Sequence, residues 1–226
     1  VSLSNWGLPL SQSLPAAPLR SASLLPERAS ADGTHRRLLE EALRLFGARG
    51  FHGVSVREIA QGAGVRASSM YAHLASKEQV LFELMLIGHE EHHDLLRRAV
   101  LEASNEPMAQ VTHLVEAHIR FHAEYSLLAR VANRELAALA DDSRSRVLAV
   151  RSQSEQLFLD VIERGIRLGV FDVPDPWLAY AVIGGIGIRV GEWWELRPDY
   201  QVEDVVAAYS VFVRRMLTAG AAGAQP

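Results

Sequence analysis

The alternation of apolar and polar positions changes character at Thr34. From there Leu38, Leu39, Ala42, Leu43 and Phe46 recur at helical spacing and predict one buried face, with Gly50 as the C-terminal stop and Phe51 packing behind it. A second, short helix is announced by Ser55 and Glu58, an S-x-x-E capping box that turns Val56, Ile59 and Ala60 inward. Gly62-Ala63-Gly64-Val65 breaks it, and Arg66 to His73 reads as a third short helix. Ser76 and Gln79 form another capping signal, opening a long fourth helix to about Ala103. Two short helices joined by a glycine turn, with a longer helix before them, predict a helix-turn-helix.

The rest of the chain reads as longer helices. A fifth is expected over 108–124 after Asn105-Glu106-Pro107, and a sixth over 126–140, ending before Asp141-Asp142. A seventh over 144–168 keeps Val147, Val150, Leu157, Phe158, Val161 and Ile162 on one side. Asp175 caps an eighth with Pro176 in its first position, and a ninth runs from Val202 to Leu217. No segment reads as a strand, so the fold class is all-α. The expected divisions are a disordered Ser/Pro-rich arm (1–33), a helix-turn-helix domain (34–80), a helical ligand-binding and dimerisation bundle (81–220) and a disordered tail (221–226).

Composition narrows the picture. The 226 residues include no cysteine, which removes disulfides and thiolate chemistry and fits a cytoplasmic location. No positive charge precedes Arg20 and prolines interrupt the first apolar stretch, so no secretory signal is expected. The net charge of -4 conceals an asymmetry. Residues 34–80 hold seven Arg/Lys against four Asp/Glu, while residues 81–226 hold fourteen against twenty-one. A basic head on an acidic body predicts that the head meets the polyanion.

The candidate chemistry lies in that head. Arg66, Ala67, Ser68 and Ser69 open the third helix, where a helix-turn-helix presents side chains to base edges in the major groove. Arg66 has the donor fork for guanine and Ala67 the methyl for thymine. Ser55 and Arg57 open the preceding helix, where a phosphate would sit, and Tyr71, His73 and Lys77 are spaced for further backbone phosphates. No convergent set of nucleophile, base and oxyanion donors is present, so no enzyme is expected, and no cofactor.

From Leu38 to Leu81 the sequence resembles the N-terminal domain of the TetR/AcrR family of bacterial transcription regulators. The matching pieces are Ala42, Leu45-Phe46, Gly50-Phe51, Val54-Ser55-Val56, Ile59-Ala60, Ala63-Gly64-Val65, Tyr71, His73-Leu74 and Ser76-Lys77-Glu78. Arg66 stands where Ser or Thr is usual, Ser68-Ser69-Met70 where Gly-Thr-Leu is common, and Leu74 where Phe is usual. The resemblance implies a homodimeric repressor on palindromic operator DNA, paired through its eighth and ninth helices and released by a small-molecule effector held in the body. The stretch Val190 to Asp199, containing Trp193-Trp194 and Pro198, is similar to an acyl-CoA-responsive branch of the family. Asn133-Arg134-Glu135-Leu136, Arg151 and Gly169-Val170-Phe171 add to that likeness.

Phe121, Tyr125, Phe158 and Trp193 are the expected pocket walls. The apolar run Trp177–Ile188, with Gly184, Gly185, Gly187 and Gly191 in or just beyond it, predicts close helix packing rather than a dinucleotide loop, since no strand precedes it. His89, His92 and His93 share a face of the fourth helix, and His118 and His122 lie four apart on the fifth, with His113 upstream. They are read as core or solvated histidines, so no metal site is assigned. Two alternatives stay open: a metal-responsive regulator using His89, His92 and His93, and a helical interaction protein that no longer binds DNA.

Overall fold

The computed structural model describes residues 23–29, 33–66, 68 and 75–218, and among these the fold is all-helical without strands. We number the helices α1 (Gly33–Arg49), α2 (Val56–Gly62), α3 (Lys77–Glu102), α4 (Pro107–Glu124), α5 (Ser126–Arg134), α6 (Asp141–Arg167), α7 (Pro176–Trp193) and α8 (Val202–Thr218). The expected third helix falls mostly outside the described residues, so the expected fourth helix is α3 and the expected eighth and ninth are α7 and α8.

The local signals act as anticipated. Gly50 adopts φ 71°, the left-handed conformation that ends α1 cheaply only in glycine, and its N–H donates to Phe46 O at 2.8 Å. Ser55 and Glu58 complete their box reciprocally: Glu58 N donates to Ser55 Oγ at 3.3 Å, and Ser55 N to Glu58 Oε2 at 2.8 Å. Ser76 caps α3 by accepting from Gln79 N, whereas the Gln79 side chain reaches back to Ala75 N rather than to Ser76. Asp175 caps α7 through Leu178 N.

Two apolar cores result. The first gathers α1, α2, the first half of α3 and α5 around Leu39, Leu43, Phe46, Ile59, Leu81 and Leu84. The second gathers the end of α3 with α4, α6, α7 and α8 around Leu96, Leu114, Ile119, Phe158, Ile162 and Ile183. Helix α3 belongs to both: Val80 to Ile87 lie in one and Leu96 in the other. The head therefore does not close at residue 80. It continues along α3 and takes α5 as a wall, with Leu127 seated so tightly on Gly47 that a β-carbon there would fall 2.4 Å from Leu127 Cδ1.

Three expectations change. The arm is not unstructured throughout: Glu27–Ala29 form a 3-10 turn and Leu25 is 1% exposed in the first core. The Arg36 guanidinium fixes this segment by donating to Leu25 O at 2.9 Å and Pro26 O at 3.1 Å, and Arg28 meets Asp94 at 2.7 Å. Residues 1–22, 30–32 and the tail from 219 lie outside the described residues. Next, the expected seventh helix starts at Asp141 rather than at 144, with Asp141 and Asp142 in its first turn, where the positive end of the helix dipole favours carboxylates. The sixth expected helix correspondingly stops at Arg134 and continues as a 3-10 turn, Leu136–Ala138.

Leu25 anchors its segment in the head, so Leu25→Ala should lower unfolding free energy by about 2–5 kcal/mol, the range for emptying a buried leucine site. Denaturant unfolding measures it, and an unchanged midpoint would show that residues 23–29 contribute no packing.

Candidate DNA-reading head and effector cavity

The head presents a basic surface on a capped scaffold. Arg57, Arg66 and Ser68 are exposed, and neither arginine has a hydrogen-bond or ion-pair partner among the described residues. Ala67, Ser69, Tyr71 and His73 lie outside the described residues.

Two of the expected phosphate contacts have other work. The Ser55 hydroxyl donates to Glu58 Oε2 at 2.7 Å while accepting from Glu58 N, so its hydrogen is committed to the cap. The Ser55 hydroxyl, followed by Arg49 at 2.8 Å, holds the Glu58 carboxyl down at about 2. The Lys77 ammonium donates to Phe51 O and Val54 O, both at 2.8 Å, and lies 4.1 Å from the centre of the Phe51 ring. It fastens the start of α3 to the link between α1 and α2, leaving one of three hydrogens for a phosphate. Carbonyl acceptors are invisible to sequence spacing, which is why lysine beside a cap reads as a phosphate ligand.

About 16 Å along α3, eleven residues from Lys77 to Gly88 at ~1.5 Å each, the helix enters the wall of a cavity of about 270 Å³. The cavity lies where the two cores meet. Gly88, His89 and His92 of α3 face Phe121 and His122 of α4, Arg151 and Glu155 of α6, and Trp177, Tyr180 and Gly184 of α7. Of the four expected wall residues, the structure brings only Phe121 to the lining. Phe158 stands one layer behind, 5.7 Å from the Tyr180 ring. Tyr125 stacks on Phe121 at 5.6 Å but packs toward the first core. Trp193 packs instead against Trp194 and Tyr200, at 6.1 and 5.9 Å, beside the 3-10 turn Trp194–Leu196 that follows α7.

The cavity floor is unusually rich in imidazole. His92 and His118 are joined nitrogen to nitrogen at 2.9 Å, and the His118 and His122 rings stack edgewise at 4.5 Å. The close approach of α7 makes room for this: a β-carbon at Gly187 would lie 2.2 Å from His118 Nε2. The expected face His89–His92–His93 is divided by this docking. His92 joins α4, His89 lines the cavity, and His93 faces Ser154 Oγ at 3.5 Å. The residues that could hold a metal ion are therefore His92, His118 and His122, a grouping that periodicity within one helix cannot reveal.

Burial drives these imidazoles toward the neutral form. Desolvation, aided by the Arg151 charge, lowers His89 to about 4, and desolvation lowers His122 to about 4. His92 and His118 are pushed well below 6.5 by desolvation and by the neighbouring histidines. Below pH 6.5 the unfolded chain takes up protons that the native cluster refuses, so these groups stabilise the fold above 6.5 and progressively less toward pH 4. At about 1.4 kcal/mol per unit, the loss should reach several kcal/mol, on the order of two shifted histidines. Denaturant midpoints measured in EDTA should fall between pH 7 and pH 5, before carboxylates such as Glu58 titrate. A flat profile across that window would contradict the buried, neutral cluster.

Comparison with known proteins matches both ends of the chain. Residues 38–84 match the family model described as bacterial regulatory proteins, tetR family, and residues 104–217 match that of the tetracyclin repressor-like C-terminal domain. The HTH-type transcriptional repressor KstR2 of Mycobacterium tuberculosis is 30% identical over 135 residues, covering 59% of this chain and 67% of that protein. A tetR-family regulatory protein from Rhodococcus RHA1 superposes with TM-score 0.77 at 26% identity, over 83% of this chain and 98% of that one. AibR, solved in complex with isovaleryl coenzyme A and operator DNA, shares the fold at TM-score 0.72 and 20% identity, over 79% of this chain and 97% of its own. With a capped helix-turn-helix at one end, a helical body at the other and both halves matched by their own models, the chain belongs to the TetR family of bacterial transcription regulators.

Proposed function

We propose that this chain is a ligand-responsive repressor that binds a pseudo-palindromic operator as a homodimer and is released when a small hydrophobic effector fills the cavity. The observation that carries the reading is the path of α3, whose first turn is bonded into the head through Lys77 and whose middle forms the cavity wall at Gly88, His89 and His92. A ligand pressing on that wall acts on the same element whose first turn is bonded into the head.

Dimerisation through α7 and α8 is supported by apolar side chains left uncovered on a single chain. Trp177, Leu178 and Val182 are exposed on α7, and Phe212, at 57% exposure, stands with Val211 on α8. Isolated exposed apolar residues are ordinary, but a set concentrated on two helices that both pack on α4 favours a self-complementary interface. Two heads held this way would meet half-sites about one helical turn apart, each read by Arg66 and the positions that follow it. No helix among the described residues is long and apolar enough to cross a membrane, and a cytoplasmic site of action follows from the DNA target.

For the effector we propose a short acyl-CoA thioester. The cavity's volume is near the lower end of the roughly 300–1,000 Å³ typical of ligand pockets, enough for a small acyl group. Arg151 supplies a cation for the polar remainder, while Phe121, Trp177 and Ile188 supply the apolar wall. The isovaleryl coenzyme A carried by AibR is an appropriate first probe.

Operator affinity measured with and without isovaleryl coenzyme A should differ by about tenfold or more, and operator should weaken thioester binding by the same factor. A factor of ten is about 1.4 kcal/mol of coupling. Thioester binding that is equal with and without DNA would reject the coupling. Absence of thioester binding would reject that effector class.

A further inference from the structure

Three imidazoles from two helices converge at the seam between the cores, and the hydrogen bonds around them dictate which nitrogens have lone pairs to offer. His122 Nδ1 lies 2.9 Å from His118 O, and a carbonyl only accepts, so that nitrogen carries the hydrogen and Nε2 is left bare. His118 Nε2 likewise faces Gly184 O at 3.3 Å, which leaves its Nδ1 bare and turned toward His92 Nε2 at 2.9 Å. Ligating histidines are commonly oriented in this manner, with the second ring nitrogen tied to a backbone carbonyl.

We propose that His92, His118 and His122 form a binding site for a divalent transition-metal ion, with three imidazole ligands and a fourth position open to the cavity. One potential ligand atom from each ring lies within 4.8 Å of the other two. A tetrahedral ion with bonds of about 2.0–2.1 Å holds its nitrogens ~3.4 Å apart. The 2.9 Å pair must therefore open by about 0.5 Å, and the widest separation, at most 4.8 Å, must close by up to about 1.4 Å. The hydrogen on His92 Nε2 moves to its own Nδ1 as the metal takes the Nε2 lone pair, so the ring stays neutral and no proton is lost. Nitrogen-only ligation suits Zn²⁺, Ni²⁺, Co²⁺ and Cu²⁺ rather than Ca²⁺ or Mg²⁺, which take oxygen. Arg151 and Glu155, one charge of each sign, both line the cavity, and a water-derived hydroxide or another anion is the natural fourth ligand.

The site differs from a merely polar core in what it binds together. Its ligands come from α3, which also enters the head, and from α4, while α7 supplies the carbonyl that orients His118. An ion would clamp α3 to α4 where the two cores meet. The proposal does not depend on which effector fills the cavity or on the operator sequence.

The test is titration of tag-free, full-length, EDTA-stripped protein with Co²⁺, read by visible absorption, and with Zn²⁺ in competition. One Co²⁺ per chain should bind with the intense ligand-field bands of four-coordinate cobalt and be displaced by Zn²⁺. His118→Gln and His122→Gln should each weaken binding by at least about a hundredfold, beyond the 10–100-fold typical of losing an outer partner. His113→Ala, which removes an exposed histidine, should leave both stoichiometry and spectrum unchanged. Absence of the four-coordinate spectrum in the wild-type protein would overturn the proposal whatever the variants do. Binding that survives His118→Gln and His122→Gln would overturn it equally, by placing the ion at the surface.

Discussion

Helix α3 passes through two hydrophobic cores, and the rest of the architecture depends on that shared membership. Its first three turns bury Val80, Leu81, Leu84 and Met85 in the first core, while Leu96 is buried in the second, where α3 packs on α4 and α6. Close-packed cores resist continuous deformation, so a helix held by both carries displacement from one to the other. Lys77 fixes its near end to Phe51 O and Val54 O, and the packing of Leu127 against Gly47 gives the head a second attachment through α5. Head and body are consequently joined by packed contacts, and the cavity lies at the joint.

The same seam contains the least apolar part of the interior. Burying His92, His118 and His122 together costs desolvation that aliphatic side chains would avoid. The cost is limited because each ring finds a partner: His92 with His118, His118 with Gly184 O, and His122 with His118 O. Perturbed titratable groups lining a cavity are where function concentrates, and departures from an apolar core are expected at sites of function.

Local chemistry was the legible part of the sequence. Ser55 with Glu58, Asp175 with Pro176, and Gly50 each define a helix boundary through bonds within a few residues, and each is found as anticipated. What remained hidden depends on docking between distant segments. His92 pairs with His118 across 26 positions, so helical periodicity grouped it with His89 and His93 instead. Leu25 looked like part of a polar arm because its burial depends on Arg36, 11 residues later. Trp193 and Trp194 look equivalent in sequence, yet only Trp194 is buried in the second core, with Trp193 packed against it. Glycines 184, 185, 187 and 191 do permit close approach, but within the chain: Gly187 seats His118, and Gly184 and Gly185 line the cavity.

The central claim is that α3 joins the reading head to the cavity as one mechanical element. Hydrogen exchange of the full chain, with and without a DNA fragment carrying its operator, tests that claim most directly. The account predicts slower exchange both at the start of α3 near Lys77 and at the cavity wall, around Gly88 to His92 and His118 to His122. Protection confined to α1, α2 and the first turn of α3, with the cavity wall unchanged, would contradict it.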